Sequence, residues 1–239
     1  MKIEVKKLTK KFNNAIAVNN ISFKIPNNST IGLLGPNGCG KTTTIGMMLG
    51  LIKPSSGEIL IDDKNLDSLT RTNYLSKINF ASPYIELPKK LTVKENLIIY
   101  GKMYEVINLN QKINTLIKDL NLDEFKNRKT GELSSGQKNR VSLAKSLINS
   151  PEILLLDEPT ASLDPDTGDY IRTYIEDYAS KNKTTILLAS HNMNEVERLC
   201  SEVMMMKSGE IIDKGTCESL ISKHGRINLE QTFLKLVRE

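Results

Sequence analysis

The stretch that most constrains this chain is Gly35-Pro36-Asn37-Gly38-Cys39-Gly40-Lys41-Thr42, a loop of the form Gly-x-x-x-x-Gly-Lys-Thr. Thr30-Ile31-Gly32-Leu33-Leu34 ahead of it reads as a buried strand, and Thr43 to Leu49 behind it as the first turns of a helix. A glycine-rich loop between a strand and a helix aims backbone N–H groups and a helix N-terminus at phosphate oxygens. Its glycines let the backbone approach the anion and take up positive φ. In such a loop Lys41 reaches the β- and γ-phosphates, and the Thr42 hydroxyl holds Mg²⁺.

Two later segments run to a site in the same way. In Glu152-Ile153-Leu154-Leu155-Leu156-Asp157-Glu158 four apolar residues lead into two carboxylates, the pattern of a fully buried parallel strand whose C-terminal end meets a site. Acids buried there are costly unless a cation or hydrogen bonds hold them. Thr184 to Ala189 is a further buried strand, ending at Ser190-His191. Residues 1 to about 28 alternate as β structure, and Phe12 falls in an Asn- and Lys-rich loop where an exposed aromatic could stack on a purine ring. Thr92 to Tyr104 and Leu109 to Leu120 read as helices, the second with Leu109, Ile113, Leu116, Ile117 and Leu120 on one face. Pro165 opens a helix to about Ser180. The predicted fold class is α/β: a P-loop NTPase core with an antiparallel β subdomain and an inserted α-helical subdomain. Residues 1–239 form one domain, with 1–83 and 151–239 as the core and 84–150 as the helical insertion.

Composition narrows the function classes. The chain has 239 residues, 39% of them hydrophobic, enough for one sizeable core. No apolar run approaches the roughly 18 residues that would span a bilayer. Met1-Lys2-Ile3-Glu4-Val5 lacks the apolar segment of a signal peptide, so a cytoplasmic location is expected. The net charge of +5 is spread along the chain, which suits a solvated surface, and no nucleic acid partner is expected. Three cysteines (Cys39, Cys200 and Cys217) have no metal-ligand spacing and suit reduced thiols. Cys39 lies beside Lys41 at a helix N-terminus, a setting expected to favour its thiolate.

Across nearly its full length the chain resembles the nucleotide-binding subunit of the ATP-binding cassette (ABC) transporter family. The resemblance rests on Leu133-Ser134-Ser135-Gly136-Gln137, similar to the family's Leu-Ser-Gly-Gly-Gln signature, placed shortly before Leu154-Leu155-Leu156-Asp157-Glu158-Pro159-Thr160. Ser162-Leu163-Asp164 resembles the family's D-loop, His191 its switch histidine and Phe12 its adenine-stacking aromatic. The resemblance implies ATP and Mg²⁺ as cofactors. It assigns nucleotide binding to Phe12, Val18, Gly35, Pro36, Asn37, Gly38, Cys39, Gly40, Lys41, Thr42 and Thr43, and the metal to Thr42 and Asp157. Glu158 becomes the general base and His191 a γ-phosphate contact. Two subunits pair head to tail, so that Ser134 and the amides of Ser135 and Gly136 complete the partner's site. It implies a second nucleotide-binding subunit and separate integral membrane permease subunits as partners, a position on the cytoplasmic face of the cell membrane, and ATP-driven transport, with export preferred. The helical subdomain and the loop from Ser82 to Leu87 become the groove for the membrane partner. A soluble ATPase acting on nucleic acid or ribosomes is opposed by the single uninterrupted cassette. A regulator that does not hydrolyse is opposed by Glu158 and His191.

The chain departs from the family pattern twice. Ser135 replaces the first glycine of the signature. Pro83 stands where the family has a glutamine that meets Mg²⁺, and its side chain cannot ligate a metal. Ser82 is then the adjacent residue with a suitable oxygen, and Glu86 the nearby carboxylate.

Overall fold

Strands buried on both faces read as near-continuous apolar runs, and Thr30–Leu34 (β3), Ile153–Asp157 (β7) and Thr185–Ser190 (β8) are almost wholly buried. The computed structural model describes residues 1–13, 15–66 and 74–238. In it these three strands lie side by side and parallel in a six-stranded sheet. The sheet's order is β10(Glu210–Gly215), β9(Glu202–Lys207), β3, β8, β7, β6(Ile78–Ala81). Only the β9–β10 pair is antiparallel, joined through Ser208 and Gly209, both with positive φ as a tight hairpin turn requires. The C-terminal ends of β3, β8, β7 and β6 therefore emerge along one edge of the sheet.

A second, four-stranded antiparallel sheet holds Ile3–Phe12 (β1), Ala15–Ile25 (β2), Ser56–Ile61 (β4) and Lys64–Asn65 (β5) in the order β2-β1-β4-β5. Side chains alternate between strand faces, and the two halves of the core follow from it. Ile31, Leu33, Ile153, Leu155, Leu187 and Ala189 face the second sheet and the helix Lys41–Met48 (α1). Leu154, Leu156, Ile186 and Leu188 face the helices Val93–Met103 (α2), Leu109–Asp119 (α3), Ser135–Ser146 (α4) and Pro165–Asn182 (α5). Each buried leucine contributes about 1.5–3 kcal/mol of apolar transfer. A third cluster joins Leu34, Val203 and Met205 to the helices Met193–Leu199 (α6), Cys217–Lys223 (α7) and Leu229–Arg238 (α8).

The helix starts follow from their caps. The Thr92 hydroxyl accepts from Glu95 N–H and the Glu95 carboxylate accepts from Thr92 N–H, a reciprocal box at the head of α2. Ser134 and Gln137 do the same for α4. Asp164 caps α5 ahead of Pro165 by accepting from Thr167 N–H. Phe12 closes β1 as its last residue, opposite Ala15, where an Asn- and Lys-rich loop was expected. The strand β6, four residues long, is too short to show a period.

Candidate functional site

The phosphate loop is shaped from below. Gly40 has φ 110° and immediately precedes α1; a Cβ there would stand 2.4 Å from the Ala17 carbonyl oxygen. At Gly35 a Cβ would stand 2.5 Å from both Cys39 Sγ and the Met206 carbonyl oxygen. Gly209, in the β9–β10 turn, donates its N–H to the Cys39 carbonyl at 2.9 Å and accepts from Asn19 N–H at 2.8 Å. Only glycine fits at 35 and 40, because the loop is pressed against β2 and against that hairpin.

Lys41 is buried inside the loop, and its ammonium donates to the Gly35 carbonyl at 2.6 Å and the Pro36 carbonyl at 3.1 Å. Thr42 Oγ1 donates to Asp157 Oδ2 at 2.8 Å, joining the end of β3's loop to the end of β7. Burial pushes the Asp157 carboxyl above its usual range, with the Thr42 hydrogen bond and Lys41 working against that rise and the Glu158 charge adding to it. Glu158 has φ 54°, the left-handed region that costs a non-glycine residue about 1–3 kcal/mol. Its N–H is held by the Ala189 carbonyl at 2.8 Å, and its carboxylate meets His191 Nδ1 at 2.6 Å. A carboxylate only accepts, so this contact is a hydrogen bond with the histidine proton on Nδ1. The His191 ring itself is largely open to solvent.

These side chains surround a cavity of about 130 Å³ lined by Ala17, Asn37, Gly38, Gly40, Lys41, Thr42, Thr43, Tyr84, Asp157 and Glu158. A cation, backbone amides behind glycines, a hydroxyl and two carboxylates at strand ends can hold a polyphosphate and a divalent metal and can accept a proton from water.

Other expected residues fall elsewhere. Val18 is fully buried, packed against Gly40 below the loop. Phe12 is half exposed at the hairpin end, with Lys10 Nζ 4.8 Å above its ring. Cys39 is buried at 4% exposure, and burial pushes its thiol pKa up, with Lys41 opposing. The expectation of a favoured thiolate is corrected: desolvation outweighs the helix end and the nearby ammonium. Maleimide should therefore label Cys39 on the order of tenfold or more slowly in the native protein than in urea, by mass spectrometry of its peptide. Equal rates would refute the burial. Ser82 is buried and turned inward: its Oγ accepts from Tyr84 N–H at 3.3 Å, and it lines a neighbouring cavity of about 310 Å³ together with Glu86, Leu133 and Ser135.

The signature residues sit at the head of α4. Ser134 and Gln137 cap each other, and the Ser134 O–H remains a donor because the cap uses its oxygen as acceptor. Gly136 faces the D-loop, where a Cβ would lie 3.3 Å from the Ser162 carbonyl oxygen and from Leu163 Cδ2. Ser135, beside it, lines the cavity of about 310 Å³.

Sequence reasoning missed three contributors. Tyr84 lines the phosphate cavity, and its signal was an aromatic placed directly after a turn proline. Asn139, in α4, donates to the Pro159 and Ala161 carbonyls at 2.8 and 3.0 Å. Glu195 accepts from Thr160 Oγ1 at 2.8 Å and from Ser190 Oγ at 2.6 Å. Burial raises the Glu195 carboxyl pKa, with those two hydroxyls opposing.

Comparison with known proteins bears on the same residues. The family model described as ABC transporter matches residues 18–161. The chain is 35% identical to ABC transporter ATP-binding protein NatA of Bacillus subtilis, over 93% of this chain and 91% of that one. It is 35% identical to Nod factor export ATP-binding protein I of Burkholderia lata, over 92% of this chain and 72% of that one. Among solved structures, a dimeric ATP-binding cassette in a post-hydrolysis state with ADP and Pi superposes with TM-score 0.83 at 27% identity, covering 90% of this chain and 98% of that one. Likeness of this extent, in sequence and in fold, leaves one conclusion: the chain belongs to the ABC transporter family, as one of its nucleotide-binding, ATP-hydrolysing subunits.

Proposed function

We propose that this subunit hydrolyses MgATP at a head-to-tail dimer interface and so drives transport, export in direction, through separate membrane subunits. The observation that carries the dimer is a division of labour within the chain. Lys41, Thr42, Asp157 and Glu158 share one cavity, while none of Leu133 to Gln137 is among the described residues lining it. A second copy or paralogue, turned end to end, would bring its Ser134 hydroxyl and the amides of Ser135 and Gly136 to the phosphates, with Asp164 at the shared interface. The solved relative with ADP and Pi is itself dimeric, which supports the pairing. A relative named for Nod factor export supports the direction.

The residues fit a magnesium ion: a hydroxyl and a buried carboxylate meet at 2.8 Å in a cavity with backbone amides. Thr42 and Asp157 would hold it, and its chemistry when bound is to neutralise charge on the phosphate oxygens. Lys41 and the loop from Gly35 to Thr43 bind the phosphates, Phe12 provides the face for the base, and Val18 supports the loop from below at Gly40. Glu158 takes the proton of the attacking water, and its contact with His191 Nδ1 keeps that carboxylate aimed. Phosphoryl transfer rests mostly on such positioning and charge stabilisation.

The stretch 84–150 acts as the helical lobe that, with the loop from Ser82 to Leu87, receives the membrane partner. No helix among the described residues is long and apolar enough to cross a membrane, consistent with a peripheral place on the cytoplasmic face. The dispersed charge supports the absence of a nucleic acid partner. Affinity capture on the tagged chain from detergent-solubilised membranes of the source cell should return multi-span membrane proteins, and ATPase activity should change on adding them. Recovery of ribosomes or nucleic acid in their place would overturn the reading.

A further inference from the structure

The turn that follows β6 presents one side chain to the phosphate cavity. Ser82 and Ile85 close a β-turn, Ile85 N–H to Ser82 carbonyl at 3.3 Å, with Pro83 and Tyr84 at its two central positions. Proline suits the first of these because its ring presets φ. The Ser82 hydroxyl accepts from Tyr84 N–H at 3.3 Å, so Ser82 fastens the turn from within. Ser82 is in turn held by the core: its carbonyl accepts from Ser142 Oγ at 3.2 Å, and Ser142 lies on α4. Tyr84 is 71% exposed despite this anchored backbone. It lines the cavity that holds Lys41, Thr42, Asp157 and Glu158, and also the neighbouring cavity bounded by Ser135, Lys138 and Ser162. A large aromatic on a fastened turn loses apolar burial by standing out, and Tyr84 carries a phenol O–H into the lining of the site.

We propose that Tyr84 is a terminal-phosphate sensor: its hydroxyl donates to an oxygen of the γ-phosphate of bound ATP. The inference rests on the nucleotide reading of the cavity. A phenol is a neutral donor, so it favours the nucleotide that carries an acceptor at the far end of the cavity and ignores one that ends at the β-phosphate. Ser82 then acts as a positioning residue, holding the turn that holds Tyr84, and Ser142 couples that turn to the helix bearing Ser134.

The test compares MgATP and MgADP affinities by calorimetry for the wild type, Tyr84→Phe and Ser82→Ala, with the His191 and Glu158 machinery intact. Tyr84→Phe keeps the ring and removes one hydrogen bond to a charged acceptor. It should weaken MgATP by about tenfold or more and leave MgADP within about twofold. Ser82→Ala should weaken MgATP less than Tyr84→Phe does. Unchanged circular dichroism melts would show that the variants are folded. Equal loss of both nucleotides in Tyr84→Phe, no loss of either, or a larger loss in Ser82→Ala would overturn the sensor role while the wild type still binds. A wild-type chain that binds neither nucleotide would overturn the nucleotide reading of the cavity, and the sensor role with it.

Discussion

Glu158→Gln is expected to bind MgATP at least as well as the wild type while its turnover falls by roughly 10²–10⁴, the range of a lost general base. The amide keeps the shape and still offers an oxygen to His191 Nδ1–H at the 2.6 Å contact. It cannot take a proton from water. Removing the Glu158 charge also removes one of the causes that raise the Asp157 carboxyl, so the neighbouring carboxylate should ionise more readily and hold a cation better. Uncleaved nucleotide should then accumulate between two copies. Size-exclusion chromatography should show a dimer with MgATP and a monomer with MgADP. A variant that hydrolyses at the wild-type rate would end the assignment of the base.

Gly40→Ala is the second large effect. Two penalties coincide at that position: φ 110°, which an L side chain rarely adopts, and a Cβ 2.4 Å from the Ala17 carbonyl oxygen, a backbone atom that cannot swing away. Together they should cost more than about 3 kcal/mol. The melting temperature should fall by about 2–4 °C for each kcal/mol, and MgATP binding should be lost as the loop shifts. Gly38→Ala is the matched control. Its φ is 79°, yet an added Cβ there would meet nothing within 4 Å. That variant should bear the strain alone, with a smaller melting shift and measurable nucleotide binding. Similar losses in both would show that contact with β2 does not shape the loop.

Much of the site was legible because its residues sit where an apolar strand stops, and such strands are easy to read when both faces are buried. Ile153 to Leu156 and Thr185 to Ala189 have no polar interruption, so Asp157, Glu158 and His191 stood out at their ends. The phosphate loop was legible through its glycines: Gly35 and Gly40 are pressed against neighbouring backbone, and Gly38 and Gly40 have positive φ. What escaped reading was the matter of which neighbour wins. Cys39 sits at a helix end beside an ammonium, yet burial decides its chemistry. Ser82 has the oxygen, yet it accepts from Tyr84 N–H and lines the neighbouring cavity, while Tyr84 lines the phosphate cavity. Strand β6 carries only four residues, too few for a period, though it is the strand that delivers that turn. Glu195 and Asn139 look like ordinary polar helix residues until their partners, 35 and 20 positions away, are known.

Those two residues have a mechanical consequence. Glu195 ties Thr160 to Ser190, and Asn139 ties Pro159 and Ala161 to the helix that begins at Ser134. The segment just after Glu158 is thus hydrogen-bonded on one side, through Glu195, to Ser190 at the end of β8 and on the other, through Asn139, to α4. Any displacement of the segment after Glu158 that leaves α4 in place would have to break the two Asn139 hydrogen bonds. On the proposed reading, a neighbour at the head of α4 and water beside Glu158 would be joined through three short side-chain bridges rather than through the length of the sheet.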